Sequence, residues 1–173
     1  IISIGFGLGP VLGTIAALLH VYNHAVTKSL MFFGAGNIIS AYHKHNMNGI
    51  RGVIKVLPFT GVMMLLGMFA LTGFPPFSIF ISEILILLAA FLKGSYLVAG
   101  LMLLFLVIIF TAFMNHFSKM FFGNMPRDIK PQKEALSIKL SILFLFFQVC
   151  ALGAVLPFIK KDLIWIAQRL FQV

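Results

Sequence analysis

Two histidines and a lysine that could carry protons follow one another at four-residue intervals. His20, His24 and Lys28 would share one face of a helix over ~12 Å, because residues four apart lie about one turn above each other. A neutral imidazole can accept a proton at one nitrogen and release one from the other, and a desolvated lysine can change its charge when a neighbour does. The spacing fits a proton relay. It fits equally well two histidines in interhelical hydrogen bonds beside a lysine that faces water or a carboxylate.

A second set of polar residues lies at the end of a later apolar stretch and consists of Asn115, His116 and Lys119. These residues either anchor that stretch at a water interface or form the exit of a relay. His43 and His45 make a His-x-His pair, but two ligands in a basic loop are a weak metal site. We therefore predict no metal here.

The single cysteine, Cys150, restricts the possible cofactors. One thiol cannot form an intrachain disulfide, a four-thiolate zinc site or an iron–sulfur cluster, and we expect Cys150 to pack as a small hydrophobe. The glycines at 5, 7 and 9 have the wrong spacing for a phosphate-binding loop. No set of nucleophile, base and orienting residue is visible, so we predict no catalytic residue and no cofactor on this chain.

The composition indicates that lipid is the solvent for the elements that carry these residues. Of 173 residues, 61% are hydrophobic and 10% are charged, and the mean hydropathy is +1.07. Soluble domains carry about 25% charged residues. The net charge of +9 fits basic segment ends that meet lipid phosphates rather than nucleic acid, since every Lys and Arg except Lys28 lies at or beyond the end of an apolar run.

The apolar runs predict an all-α, polytopic transmembrane helix bundle, because about 20 apolar residues cross ~30 Å of hydrocarbon. We expect four or five crossings in residues 1–159, at 1–9 (partial), 10–41, 55–72, 76–92, 95–121 and 136–158. Residues 160–173 have the pattern of an amphipathic interfacial helix. Gly5, Gly9 and Gly13 predict a helix-packing surface. Because the chain opens with Ile1 inside an apolar run, we expect a fragment of a longer protein.

Two ionisable residues would then lie deep in the membrane. Lys28 is near the middle of the predicted helix at 10–41, where a charged group costs at least ~2.5 to 3.5 kcal/mol. Glu83 is the only acidic residue in the apolar spans. It follows Gly73, Pro75 and Pro76, which must interrupt a helix because proline lacks the backbone donor. Such breaks mark ion pathways when they lie inside the membrane; a break at the headgroups would leave Glu83 facing the interface.

Two segments resemble the antiporter-like subunits shared by respiratory complex I, Mrp-type cation/proton antiporters and group 4 membrane-bound hydrogenases. The first runs from His20 to Asn37 as HVYNHAVTKSLMFFGAGN. The second is LTGFPPF at residues 71–77, followed by Ser82 and Glu83. The variant with Asn23-His24 and Ala35-Gly36-Asn37 is most similar to the hydrogenase-4 and formate hydrogenlyase branch.

The resemblance implies a role for each matching position. It places His20, His24 and Lys28 in a hydrated chain of ionisable groups along the membrane midplane, and Glu83 on a discontinuous helix as the terminal charged residue of the second half-channel. It also implies that this chain is the C-terminal portion of a subunit whose larger, N-terminal part carries the other half-channel. We would not expect this portion alone to move protons.

We hypothesise that Glu83, Lys28, His24 and His20 relay protons in a subunit of a redox-driven complex. His116 and Lys119 are the candidates for a continuation of this relay. Lys28 would be the switch that responds to neighbouring subunits. The expected partners are other membrane subunits, a peripheral hydrogenase or dehydrogenase arm and the lipid bilayer, in a prokaryotic plasma membrane. The alternatives are a membrane anchor that conducts nothing and a stand-alone cation/proton antiporter.

Overall fold

The fold is all-helical throughout the part of the chain that the computed structural model describes, residues 1–9 and 11–151. The α-helices are α1 (Ile2–Leu8), α2 (Leu12–Tyr42), α3 (Val53–Val56), α4 (Pro58–Leu71), α5 (Ser78–Leu92), α6 (Tyr96–Phe122) and α7 (Leu136–Ala151). A 3-10 helix, Met47–Gly49, precedes α3. These helices confirm the predicted fold class. The tail predicted at 160–173, and the end of the helix predicted at 136–158, lie outside the described residues.

Helix α6 is the one helix in the described ranges that is both long enough and apolar enough to cross a membrane alone. Helices α4, α5 and α7 are apolar but shorter. The 14 residues of α4 and the 15 of α5 extend about 21 and 22 Å at 1.5 Å per residue. Each is therefore shorter than the ~30 Å hydrocarbon core of a bilayer.

Helices α4 and α5 lie one after the other along α2, which is 31 residues long. Four contacts, in chain order, pair Thr60 with Asn37, Gly67 with Leu30, Ser78 with Asn23 and Ser82 with His20. The residue numbers on α2 decrease along this series while those on α4 and α5 increase. The two segments therefore run antiparallel to α2. The stretches predicted as separate crossings at 55–72 and 76–92 thus form one discontinuous helix, interrupted at Gly73–Pro76 as predicted.

Prolines account for the two boundaries that the sequence prediction misplaced. The helix expected at 55–72 is divided at Leu57, whose φ of −129° and ψ of 79° are not helical, because the residue before a proline is disfavoured in the helical region. The helix expected to begin at residue 76 begins at Ser78. Pro75 and Pro76 are joined by a cis peptide bond, and Phe77 is extended.

Two apolar cores flank the middle of α2. The first packs its C-terminal half against α3, α4 and the end of α6, through residues that include Met31, Ile38, Val53, Met64, Met68 and Phe121. The second packs its N-terminal part against α1, α5 and the start of α6, through Leu8, Ala16, Ile86, Ala89, Ala99 and Met102. Because lipid is as apolar as these side chains, close van der Waals packing and interhelical hydrogen bonds hold the helices together here. The polar residues at the middle of α2 lie between the two cores.

The predicted glycine surface is only partly formed. A β-carbon at Gly13 would overlap the carbonyl oxygen of Gly5, and one at Gly5 would approach the Ala17 β-carbon to 2.8 Å, so α1 and α2 are in close contact there. Gly9 has open space around it and lies in the turn between the two helices, with φ 138°. Only a residue without a side chain adopts that φ readily.

The expectation that Cys150 packs as a small hydrophobe was wrong, because its side chain is exposed. The neighbouring Val149 is the buried residue on this part of α7, where it packs with Ala70 and Phe77. Adjacent helical residues point about 100° apart, so the helix face that buries Val149 turns Cys150 away from the core.

A carboxylate from the linker between α6 and α7 holds the start of α4. Glu134 accepts hydrogen bonds from the backbone N–H groups of Phe59 at 2.8 Å and Thr60 at 3.0 Å. It also accepts from the Thr60 hydroxyl and from Asn37 Nδ2 of α2. The first N–H groups of a helix have no partner within the helix and favour negative charge. Glu134 supplies that partner and ties the linker to α2 and α4.

Candidate functional site

The middle of α2 carries the three predicted relay residues in three different environments. His20 is buried, with 3% of its surface exposed, His24 is half-buried and Lys28 is exposed. The two imidazole rings are stacked, with centroids 5.8 Å apart and planes inclined at 21°. The Lys28 ammonium lies 5.9 Å from the centre of the Phe32 ring, one helical turn further along. The predicted shared face is therefore present.

Glu83 is buried in the opposite helix, with 6% of its surface exposed. Its carboxylate lies directly against Gly73 in the break between α4 and α5, where a β-carbon would overlap it. Gly73 also has φ +68°, a conformation that residues with a β-carbon rarely adopt. The break thus turns the chain and leaves room for the carboxylate.

One cavity brings the four relay candidates together. It has a volume of about 380 Å³ and is lined by His20, His24, Lys28 and Glu83, with Thr72 and apolar side chains from α6 around them. One water occupies about 30 Å³ in the liquid, and water enters cavities that are polar and large enough. The volume and the four ionisable side chains meet both conditions.

A second cavity adjoins the first at Lys28. It has a volume of about 580 Å³ and is lined mainly by apolar side chains, with Lys28 at one place and His116 of α6 at another. Leu71 and Phe113 line both cavities. Lys28 is therefore the ionisable residue common to the two spaces, and His116 is the next one beyond it.

A third cavity, of about 330 Å³, adjoins the first at Glu83 and Thr72. Its other lining residues come from the break and from α5 and α6, and nearly all of them are apolar. Glu83 thus lies between a space that contains His20, His24 and Lys28 and a space whose walls are mostly hydrocarbon. Of these two spaces, only the first brings other ionisable side chains to Glu83.

The remaining candidates lie elsewhere. Lys119 and Asn115 are exposed on α6, and neither lines the cavities that Lys28 lines. His43 and His45 are exposed in the loop after α2. In residues 1–9 and 11–151, no three His, Cys, Asp or Glu side chains are grouped as metal ligands.

Two buried side chains in the contact between α2 and α5 were not identified as site residues from the sequence. Ser82 Oγ lies 2.9 Å from His20 Nδ1, and Asn23 Nδ2 donates to the Ser78 carbonyl oxygen at 3.0 Å. The spacing of Ser78 and Ser82 was the available signal, because two serines four apart on an apolar helix share one face. That face could be assigned to α2 only once the packing was known.

Comparisons with known proteins agree with this architecture. Residues 1–111 match the family described as NADH:quinone oxidoreductase/Mrp antiporter, TM. The chain is 32% identical over 157 residues to the hydrogenase-4 component F homolog of Methylacidiphilum infernorum (isolate V4), covering 91% of this chain and 32% of that protein. The chain thus spans about a third of the length of this curated relative.

Two solved structures share the fold. The Mrp complex from Dietzia sp. DQ12-45-1b contains a chain that superposes with a TM-score of 0.86 at 19% identity, covering 98% of this chain and 40% of that one. A chain of the membrane-bound sulfane sulfur reductase, an archaeal respiratory membrane complex, gives a TM-score of 0.77 at 28% identity, covering 88% and 25%. The chain therefore belongs to the family of transmembrane subunits found in NADH:quinone oxidoreductases and Mrp antiporters.

Proposed function

We propose that this chain provides one segment of a proton path in a membrane subunit of a redox-driven complex. The complex would be of the hydrogenase-4, formate hydrogenlyase or NADH:quinone oxidoreductase type. The observation that supports the proposal best is the single cavity lined by His20, His24, Lys28 and Glu83. Ionisable groups within a membrane are costly and face water or one another, and here four of them share one space.

Each residue has a role that its surroundings favour. Glu83 is buried at the interrupted helix and holds or releases a proton there. Lys28 lines both the cavity with Glu83 and the cavity with His116, so a change in its charge alters the field in both. His20 and His24 are stacked and exchange protons with the water of the cavity that they line. Lys28 is therefore the switch in this proposal.

The partners and the location belong to the same proposal. The relative and the structural neighbours named above are parts of a hydrogenase-4, an Mrp complex and a respiratory membrane complex. We infer that this chain works beside other membrane subunits and a peripheral hydrogenase or dehydrogenase arm. A prokaryotic plasma membrane fits the relatives from bacteria and archaea. In this proposal the redox chemistry occurs on such a partner.

Replacing the two central residues in the intact complex tests the proposal. Lys28→Ala and Glu83→Gln should each lower the number of protons moved per electron, while electron transfer to an artificial acceptor continues. Lys55→Ala is the matched control, because Lys55 is exposed at the end of α3 and lines none of the three cavities. Unchanged proton movement in both test variants would reject the relay.

The same variants separate the two alternatives. A non-conducting anchor predicts that Lys28→Ala and Glu83→Gln change the yield of assembled complex or nothing at all. A stand-alone antiporter predicts proton movement that requires Na⁺ or K⁺ on the opposite side and continues without an electron donor. The proposed subunit predicts movement that stops when the electron donor is withdrawn.

A further inference from the structure

The buried contact between His20 and Ser82 restricts where the protons of both groups lie. His20 Nδ1 and Ser82 Oγ are 2.9 Å apart, and Ser82 Oγ donates to the Ile79 carbonyl oxygen at 2.7 Å. A serine hydroxyl has one proton to donate and two lone pairs to accept with. Because that proton is directed at Ile79, the bond to the imidazole requires His20 Nδ1 to be the donor.

The protonation of Nδ1 decides which nitrogen of His20 can exchange protons. In a neutral imidazole one nitrogen carries the proton and the other has the lone pair. With Nδ1–H held by Ser82, the lone pair is on Nε2. The imidazolium form carries a proton on both nitrogens, and its Nδ1–H keeps the same acceptor. Ser82 therefore stabilises both states between which Nε2 takes up and releases a proton.

A second interhelical bond keeps this pair in register. Asn23 lies three residues after His20 on α2 and donates to the carbonyl oxygen of Ser78, which lies four residues before Ser82 on α5. Asn23, Ser78 and Ser82 are each 1% exposed or less. The two bonds, one turn apart on each helix, fix the rotation of α5 relative to α2. Ser82 therefore has little freedom to leave His20.

We propose that Ser82 is a positioning residue that holds His20 in the Nδ1–H form, so that His20 exchanges protons with the cavity through Nε2 alone. This inference rests on the proposed function, since it concerns the same proton path. It also makes His20 the closed end of the path on this side. A proton arriving at Nδ1 could not go on through Ser82, because the hydroxyl is directed at a backbone carbonyl that cannot accept a proton.

The ionisable side chains that line the cavity with His20 come from α2 and α5. His24, Lys28 and Glu83 line the cavity with it, together with Ile1 and Ile2. A proton taken up at Nε2 therefore comes from the cavity water or from one of these three side chains, and it returns to the same space. Atoms and charge balance, since one proton leaves a donor in the cavity and one is gained by Nε2.

The test compares three serine variants in the intact complex. Ser82→Ala leaves Nδ1 buried without its acceptor and should lower the rate of coupled proton movement about tenfold, the order expected for one unsatisfied buried polar group. Ser82→Thr retains a hydroxyl and should restore most of the rate. Ser78→Ala is the matched control, because Ser78 is equally buried on the same helix and its Oγ has no hydrogen-bond partner among the described residues. It should leave the rate unchanged.

A double-mutant cycle separates positioning from a loss of packing. If Ser82 acts through His20, then His20→Ala with Ser82→Ala should be no slower than His20→Ala alone, since coupled sites are not additive. The inference would be overturned if the loss of rate in the double variant equalled the product of the two single losses, or if Ser82→Ala had a normal rate. Either result would leave the relay intact. Normal rates in all three single variants, His20→Ala, Lys28→Ala and Glu83→Gln, would instead reject the proposed function.

Discussion

The carboxylate of Glu83 lies so close to Gly73 that a β-carbon at position 73 would overlap its Oε2 atom. Gly73 is ten residues before Glu83 and belongs to the break between α4 and α5. The interruption therefore does more than turn the chain: it provides the space in which the buried acid fits, beside the cavity that contains His20, His24 and Lys28.

Gly73→Ala should displace the Glu83 carboxylate and reduce coupled proton movement on the order of tenfold to a hundredfold, because misplacement of a reacting group by about 1 Å has effects of that order. The φ of +68° at position 73 adds about 1–2 kcal/mol of backbone strain once a side chain is present. Proton movement per electron in the assembled complex is the measurement. Gly100→Ala is the control, since Gly100 lies in α6 with no atom near its β-carbon position. Normal coupling in Gly73→Ala would contradict this view of the break.

His116 and Lys119 should differ in their effect on the path, although both were candidates for its exit. His116 lines the cavity that Lys28 also lines, whereas Lys119 lines neither of the two. We expect His116→Ala to lower proton movement several-fold and Lys119→Ala to leave it unchanged. The comparison is made by parallel measurement of the two variants at equal complex content. Equal losses in both would indicate that the path does not follow the second cavity.

Two glycines of α2 should respond in opposite directions to alanine. A β-carbon at Gly34 would overlap the side chain of Met64 on α4, whereas Gly36 has open space. Gly34→Ala should destabilise the subunit by about 1–3 kcal/mol through overpacking. Gly36→Ala should be neutral or stabilise it by roughly 0.5–1 kcal/mol through helix propensity. Thermal unfolding of the purified complex measures both. A stable Gly34→Ala variant would show that Met64 moves aside at little cost.

Glu134 should contribute to stability rather than to proton movement. Its carboxylate accepts bonds from two backbone N–H groups at the start of α4, and the loss of a helix cap costs about 0.5–2 kcal/mol. We therefore expect Glu134→Ala to lower the unfolding temperature while proton movement per electron stays normal. Asp128→Ala, at an exposed acid of the same linker, should change neither. A specific loss of coupling in Glu134→Ala would place this acid in the path.

The sequence was sufficient to predict the helical class, the position of the break and the shared face of His20, His24 and Lys28. All three follow from rules of short range: runs of apolar residues, the missing donor of proline and the helical period. The two misplaced helix boundaries, at Leu57 and Ser78, also have a local cause. Leu57 precedes Pro58 directly and is not helical, and Ser78 follows Pro76 after one extended residue, Phe77.

Only the tertiary structure decided which of these residues meet. Ser82 contacts His20 across 62 residues of sequence, and Glu134 reaches Thr60 across 74; no local rule predicts either contact, because each depends on how α5 and the linker pack against α2 and α4. The sequence by itself determined that ionisable side chains lie among apolar helices. The packing decided that four of them surround one cavity, since the rotation and register of helices are set by side chains that interlock from distant parts of the chain.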